Sequence, residues 1–228
     1  MTPHILLGAV LGFFLPVFAG RFGKILPAEP GVVLLHLGHR PRFPRSGNVR
    51  RRRLFYLLWA KLVLWSVAWA GVVGGLFALN ALLLPAQGVG MAHLFCLLMC
   101  WCIAVDAKYF LLPDFFTFPL LFAGLAAALW LDFLPVEQSV LGVLWGYGLS
   151  VLTTFAVGLF YRAEFGAGDV KMIAGLGAWL GIYGLTAALV LSFLIFACIG
   201  LIQSRRSNAL GPALGAAGIF VFYLMYAK

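Results

Sequence analysis

Forty-four consecutive residues, Leu62 to Val105, contain no Lys, Arg, Asp or Glu, and a second such stretch runs for thirty-three residues from Met172 to Ser204. Runs of this kind do not alternate apolar and polar positions, as the strands of a membrane β-barrel would. They read as helices that face apolar surroundings on every side. The rest of the chain agrees. Of 228 residues, 64% are hydrophobic and 10% are charged, with a mean hydropathy of +1.04. A soluble domain carries about 25% charged residues, so too little polar surface exists here to cover a water-soluble globule. The same composition excludes a disordered chain, a coiled coil, a collagen-like repeat and a disulfide-stapled secreted domain. The expected fold class is all-α: a polytopic integral membrane helical bundle.

A helix crosses the hydrocarbon layer with about 20 residues. Breaks at charges, Pro and Gly predict eight spans, at about 4–20, 54–84, 91–105, 115–131, 139–160, 170–183, 185–203 and 211–227. The first span ends in Val17-Phe18-Ala19, which resembles a cleavage site. It lacks a basic leading region, though, and Arg21 and Lys24 follow it at once, so an uncleaved helix is expected. No internal repeat or second soluble domain is evident. The chain reads as a single membrane domain, 1–228, with one short basic cytoplasmic loop at about 21–53, in which Pro27, Pro30, Pro41 and Pro44 favour irregular structure.

Nine of the sixteen cations fall between Arg21 and Arg53, ending in the tetrad Arg50 to Arg53. No basic stripe interleaved with aromatics accompanies them, so nucleic acid is not an expected partner. Clustered Lys and Arg beside a span set topology and meet anionic lipid headgroups. With residues 21–53 in the cytoplasm and one crossing per span, Lys108, Arg162, Lys171, Arg205 and Arg206 return to that side, giving fourteen of sixteen cations inside. Asp132 and Glu137 fall outside, as do the cation-free connections 85–90 and 181–184. Lys61 lies within a span near its cytoplasmic end, and Lys228 is the last residue.

Ionisable groups among membrane helices are costly and therefore mark function. Asp106 ends the third span and Asp169 opens the sixth; two crossings separate them, which returns both to the cytoplasmic face. Two carboxyls at one depth on different helices are the minimum for aspartyl-protease chemistry. They share a proton, one acting as base on a water while the other donates to the carbonyl. Gly166 and Gly168 precede Asp169 in Gly166-Ala167-Gly168-Asp169 and permit close backbone approach, which would let a peptide substrate reach the carboxylate. Either aspartate alone reads more readily as a helix-end carboxylate in headgroup water.

Asp106, six intervening residues, Pro113-Asp114, an apolar helix and then Gly166-x-Gly168-Asp169 together resemble the type IV prepilin peptidases, of the Gly-x-Gly-Asp class of intramembrane aspartyl proteases. The likeness continues through Lys171 to Gly181 and Gly211-Pro212, and Gly12-x-Phe14-Leu15-x-Val17 with Arg21 is similar to a degraded N-terminal motif of the family. The resemblance implies that Asp106 and Asp169 are the catalytic pair and that Gly166 and Gly168 contact substrate. It further implies a prepilin or pseudopilin substrate with a basic leader, a Gly before the cut and an apolar helix after it, cleaved at the cytoplasmic face of a bacterial inner membrane. Membrane lipids and pilus or secretion assembly proteins would be its partners. Asp114 matches a position that is Asp or Asn among relatives; since Asn is no acid, an N-cap of the fourth span is the expected role. Lys108 and Lys171 flank the pair and read as cations snorkelling to the headgroups.

The sequence also departs from the family. Many relatives carry two Cys-x-x-Cys zinc-binding pairs in a larger first loop, but residues 21–53 contain no cysteine. Cys96, Cys100, Cys102 and Cys198 all lie in spans without tetrahedral spacing, and are expected to be buried apolar thiols. His4, His36, His39 and His93 form no metal-like set, and Glu164 is unassigned. No metal and no cofactor are therefore expected. Phe13 and Pro16 stand where Ser and Asn are usual in the N-terminal motif, which leaves the N-methylation performed by larger relatives in doubt. The competing classes are a proton-coupled small-solute transporter and an inactive homologue serving as an assembly anchor. A transporter would place its carboxylates at the bilayer midplane, whereas Asp106 and Asp169 fall near one face.

Two outcomes check this reading. Cytoplasmic reporters fused after residues 45, 110, 165 and 206 should be active and those after 87, 135 and 183 silent; a reversed pattern refutes the topology. Elemental analysis of the purified protein should find no stoichiometric zinc, and chelators should leave its activity unchanged.

Overall fold

The computed structural model describes residues 1–22, 49–131, 134–161, 166–203 and 209–227. Seven helices account for nearly all of them: α1 (Thr2–Phe22), α2 (Val49–Leu83), α3 (Val89–Tyr109), α4 (Asp114–Trp130), α5 (Val136–Tyr161), α6 (Ala167–Gln203) and α7 (Gly211–Tyr226). Among the described residues there is no strand. The all-α class expected from the uncharged runs holds. Asp132, Arg162, Glu164, Arg205, Arg206, Lys228 and loop residues 23–48, with His36 and His39, lie outside the described residues.

The seven elements correspond to the eight expected spans, because one of them comprises two helices joined across a kink. Residues 170–183 and 185–203 are joined in the 37-residue α6, which is interrupted at Gly181 (φ 63, ψ −172). A straight helix of that length would reach about 55 Å, well beyond the hydrocarbon layer. Only glycine adopts this backbone at little cost, so the break falls at Gly181 rather than at Gly184. The basic tetrad also differs from expectation: Arg50 to Arg53, placed in the loop, belong to the first turns of α2. Arginine is a good helix former, and its charge does not interrupt the helix. Five helical segments, in α1, α2, α3, α5 and α6, are long and apolar enough to cross a membrane. The 17-residue α4 and 16-residue α7 are apolar but shorter, at roughly 25 Å.

The chain divides into two compact units, Met1–Ala78 and Leu79–Lys228. In the first, Gly8 and Gly12 of α1 lie against α2 between Trp69 and Gly74, where added Cβ atoms would strike backbone. The second unit holds α3 to α7 and the end of α2. Large apolar side chains such as Leu152 and Phe155 of α5 and Leu194 and Leu201 of α6 point outward, the surface expected when lipid is the solvent.

Lipid tails are as apolar as leucine, so helices in a bilayer gain little by burying apolar surface and associate through close packing instead. The second unit packs in that way. α5 runs antiparallel to the first half of α6, with Gly142 and Gly177 facing each other so closely that a Cβ on either would fall on the other's carbonyl. The Ser139 hydroxyl donates to the Ala178 carbonyl nearby (2.6 Å). α4 and α7 run parallel to the same half-helix: Gly124 abuts Ala178 and Trp179, and Gly218 abuts Leu176. Phe95, Trp179 and Phe222 stack at the centre, with ring centroids 4.6–6.1 Å apart. Trp179 Nε1 donates to the Leu120 carbonyl and the Tyr226 hydroxyl to the Trp179 carbonyl, both at 2.8 Å.

A buried polar cluster ties the end of α2 to α3 and α7. Asn80 Nδ2 donates to His93 Nδ1 (3.0 Å) and the Tyr223 hydroxyl donates to Asn80 Oδ1 (2.6 Å), with Cys96 Sγ beside both. In an apolar interior such a network holds only if its members satisfy one another.

The Gly142–Gly177 contact makes a signed prediction. Gly142→Ala should destabilise the detergent-solubilised protein by about 1–3 kcal/mol, the usual cost of overpacking. Gly148→Ala, on the same helix with nothing within 4 Å of the added methyl, should be neutral or stabilising by up to about 1 kcal/mol through helix propensity. Thermal unfolding of both variants is the check.

Candidate functional site

Four helix ends meet at one end of the second unit: the last turn of α3 and the first turns of α4, α6 and α7. Asp106 sits one turn before the end of α3 and is buried (5% exposed). Phe110 then ends the helix in the left-handed region (φ 55), its N–H donating to the Asp106 carbonyl (2.9 Å). A bulky residue with positive φ is uncommon. Here it turns the chain sharply so that Pro113, extended at φ −69 and ψ 144, can start α4 only three residues later.

Asp169 lies in the first turn of α6 and is half-buried. Its N–H and that of Val170 donate to the Gly166 carbonyl (2.9 and 3.3 Å), which fixes the start of the helix. The two carboxylates, 63 positions apart in sequence, come within electrostatic reach of each other. The pair singled out in the sequence is thus assembled in space, with one member from the C-terminal end of a helix and the other from the N-terminal end of another.

The two glycines before Asp169 have different surroundings. A Cβ at Gly168 would press on Leu112, at 2.7 Å from its Cβ and 2.9 Å from its carbonyl oxygen, so α6 starts in direct contact with the α3–α4 connection. At Gly166, which is exposed, an added Cβ would meet, among the described residues, the Asp169 carboxylate, at 3.0 Å from Oδ2. Gly168 therefore sets helix packing, whereas a side chain at Gly166 would crowd the Asp169 carboxylate.

Gly211 is the residue whose role sequence reasoning missed. It opens α7, and its N–H donates to Asp106 Oδ2 at 2.8 Å. A Cβ there would lie 2.6–2.9 Å from three atoms of the Asp106 side chain. A carboxylate accepting a backbone N–H at a helix start gains a charge-assisted hydrogen bond together with the positive end of the helix dipole. The glycine was visible in the sequence as the start of a span; that it touches Asp106, 105 positions away, was not.

Asp114 requires a correction. It was expected to cap α4, but Pro113 holds the cap position, Asp114 is the first helical residue, and no side-chain cap hydrogen bond forms. Its carboxylate instead makes an ion pair with Lys171 (2.5 Å), one residue beyond Val170 on α6, and that pair joins the starts of α4 and α6. Lys171, read as a snorkelling cation, is therefore engaged, and it also lies over the Phe118 ring; Lys108 lies over the Tyr109 ring. Both partners of the ion pair are partly exposed (34% and 54%), so the pair positions the helices more than it stabilises them.

Cys96, Cys100 and Cys102 are buried as expected, whereas Cys198 is exposed on the outward face of α6. Among the described residues, no three His, Cys, Asp or Glu side chains are grouped to hold a metal ion.

Comparison with known proteins bears on the same region. The type IV leader peptidase family profile matches residues 93–201, from the middle of α3's first turns through most of α6 and so across both aspartates. A prepilin leader peptidase/N-methyltransferase of Neisseria gonorrhoeae is 33% identical over 165 residues, covering 71% of this chain and 52% of that protein. Proteins of the same description are 34% identical over 146 residues in Xanthomonas campestris pv. campestris (60% and 50% covered) and 38% identical over 128 residues in Dickeya chrysanthemi (50% and 44% covered). The chain spans about half the length of these curated relatives. No solved structure matches it. Residues 93–201, which contain both aspartates and the helices that hold them, are thus the part of this chain that is similar to the type IV leader peptidase family.

Proposed function

We propose that the chain is an intramembrane aspartyl endopeptidase that cleaves the basic leader from type IV prepilins or related pseudopilins at the cytoplasmic face of the bacterial inner membrane. The observation that carries this reading is the pairing of Asp106 with Asp169 at a shared helix-end junction. The match to the leader peptidase family and the names of the relatives support the same substrate class.

The chemistry follows from two carboxyl groups that hold one proton between them. The carboxylate removes a proton from a water molecule, whose oxygen attacks the peptide carbonyl carbon. The protonated partner gives its proton to the carbonyl oxygen, forming a neutral diol. As the diol collapses, the C–N bond breaks, the nitrogen takes the proton collected from water, and the second carboxyl recovers its own from the diol hydroxyl. No covalent intermediate with the protein forms, and no metal is required by the atom balance. Gly166, exposed beside Asp169, supplies backbone without a side chain where an extended peptide must pass. The acidic pair attracts a basic leader held on the same side of the membrane, while the apolar helix that follows it remains in the bilayer. The wealth of Lys and Arg in the segments assigned to the cytoplasm supports that orientation.

Asp106→Asn and Asp169→Asn should each lower cleavage of a prepilin by roughly 10²–10⁴-fold, the range for losing a general acid or base, with insertion and folding intact. Asp114→Asn should stay within a few-fold of the parent, because an amide still accepts from Lys171 and an exposed pair contributes at most about 1 kcal/mol. Appreciable cleavage by either dyad variant in a prepilin-processing assay would refute the mechanism.

A further inference from the structure

Two identical carboxyls that hold one proton are symmetric by themselves, so their surroundings decide which member keeps it. Here the surroundings differ. Asp106 Oδ2 accepts the Gly211 N–H at 2.8 Å, whereas the Asp169 side chain makes no hydrogen bond among the described residues. A hydrogen bond to an ionised acceptor is roughly twice as strong as one to a neutral acceptor, so a donor fixed at the start of α7 favours the charged form of Asp106 over its acid. Burial and the end of α3 oppose charge on Asp106, while the start of α6 favours it on Asp169. Those dipole effects are weaker than a direct charge-assisted bond, and the Gly211 N–H is the group that offsets the burial.

Access differs in the same sense. Asp106 is 5% exposed and has the Gly211 backbone against its side chain, so what remains of it can be touched by little larger than water. Asp169 is half-buried and follows the exposed Gly166 and Ala167. The group that hands a proton to the substrate carbonyl must touch the substrate, but the group that takes a proton from water need not. Among the described residues, the other ionisable groups around the pair do not override this division. Cys102 lies one turn back from Asp106 on α3, Asp114 of α4 is bound to Lys171 of α6, Lys108 lies over the Tyr109 ring, and α7 brings its backbone.

We propose that Gly211 is a positioning residue whose N–H holds Asp106 as the ionised member of the pair, which makes Asp106 the base on water and Asp169 the acid toward the substrate. This inference rests on the peptidase reading above. In the first step Asp106 takes a proton from water, the water oxygen bonds to the carbonyl carbon, and Asp169 gives its proton to the carbonyl oxygen. In the second the C–N bond breaks, the nitrogen takes the proton from Asp106, and a diol hydroxyl returns one to Asp169. Both groups end as they began.

The chain has four aspartates, Asp106, Asp114, Asp132 and Asp169, so carbon-13 labelling of their carboxyl carbons gives an NMR spectrum that single Asn substitutions can assign. As pH is lowered on the detergent-solubilised full chain, the first proton taken up by the pair should appear on Asp169 while Asp106 stays ionised. Replacing Gly211 by glycolic acid, through nonsense suppression, exchanges its N–H for an ester oxygen without adding a Cβ. That variant should shift the proton distribution toward Asp106 by about 10- to 100-fold and lower kcat by a similar factor with KM unchanged. A purely structural role for Gly211 would lower thermal stability and leave the order of protonation as it was. A first proton on Asp106 in the parent, or one divided evenly, would overturn the proposal, as would an ester variant that keeps the parent's order. Asp106→Asn and Asp169→Asn in the prepilin-processing assay separate the two layers. Cleavage retained by either would overturn the peptidase reading and this proposal with it, whereas inactive dyad variants with the first proton on Asp106 would overturn this proposal alone.

Discussion

The hydrogen bond from the Gly211 N–H to Asp106 is the interaction on which the site depends. A carboxylate drawn into a helix bundle loses its water, and an unpaired one is not tolerated there. The start of α7 replaces part of that lost hydration with a fixed donor. The arrangement works only if the backbone of α7 comes into contact with the side chain it serves, and only glycine allows that approach. α7 is in turn held by the stack of Phe222 on Phe95 and by Tyr226 on the Trp179 carbonyl. The aromatic core of the second unit and the environment of one aspartate are therefore a single mechanical assembly.

The same logic of close approach recurs throughout the second unit. Gly142 against Gly177, Gly124 against Trp179 and Gly168 against Leu112 each place one backbone against a neighbour. Where hydrocarbon surrounds the helices, contact quality must replace the hydrophobic effect as the source of association. The Lys171–Asp114 pair and the Leu112–Gly168 contact both brace the first turn of α6, so Asp169 is carried on a segment held from two directions.

Much of this was legible in the sequence, for reasons that separate the successes from the failures. Uncharged runs of thirty and forty residues have no reading except as apolar helices, so the fold class and most helix limits emerged within a few residues. Asp106 and Asp169 stood out because ionisable groups are scarce in such a chain. What could not be read was register. The reach of Gly211 to Asp106 and the Asn80–His93–Tyr223 cluster both depend on which helix faces meet, and spacing along one helix does not specify its neighbour. The capping role expected of Asp114 failed for a local reason. A proline at the preceding position is itself well suited to the helix boundary, since its ring fixes φ and it has no N–H to lose, so the carboxylate was free to find a lysine across the interface.

The direction of the helices adds a last constraint on the site. α4, α6 and α7 all begin at the junction, and each carries an acidic group at or near its first turn: Asp114 on α4, Asp169 on α6 and, across the contact with Gly211, Asp106 against α7. Helix starts bear the positive end of the backbone dipole, so three of the four helix ends here favour negative charge. Only α3, which presents its C-terminal end at Asp106, opposes it. Two carboxyls that repel each other are thus gathered in one place by backbone groups that cost no additional cation. A buried lysine or arginine in that position would neutralise the pair permanently. Lys171 is kept from that role by its pairing with Asp114 on the exposed rim. The parallel entry of three helices is therefore a condition for an acidic pair that stays unneutralised inside an apolar bundle.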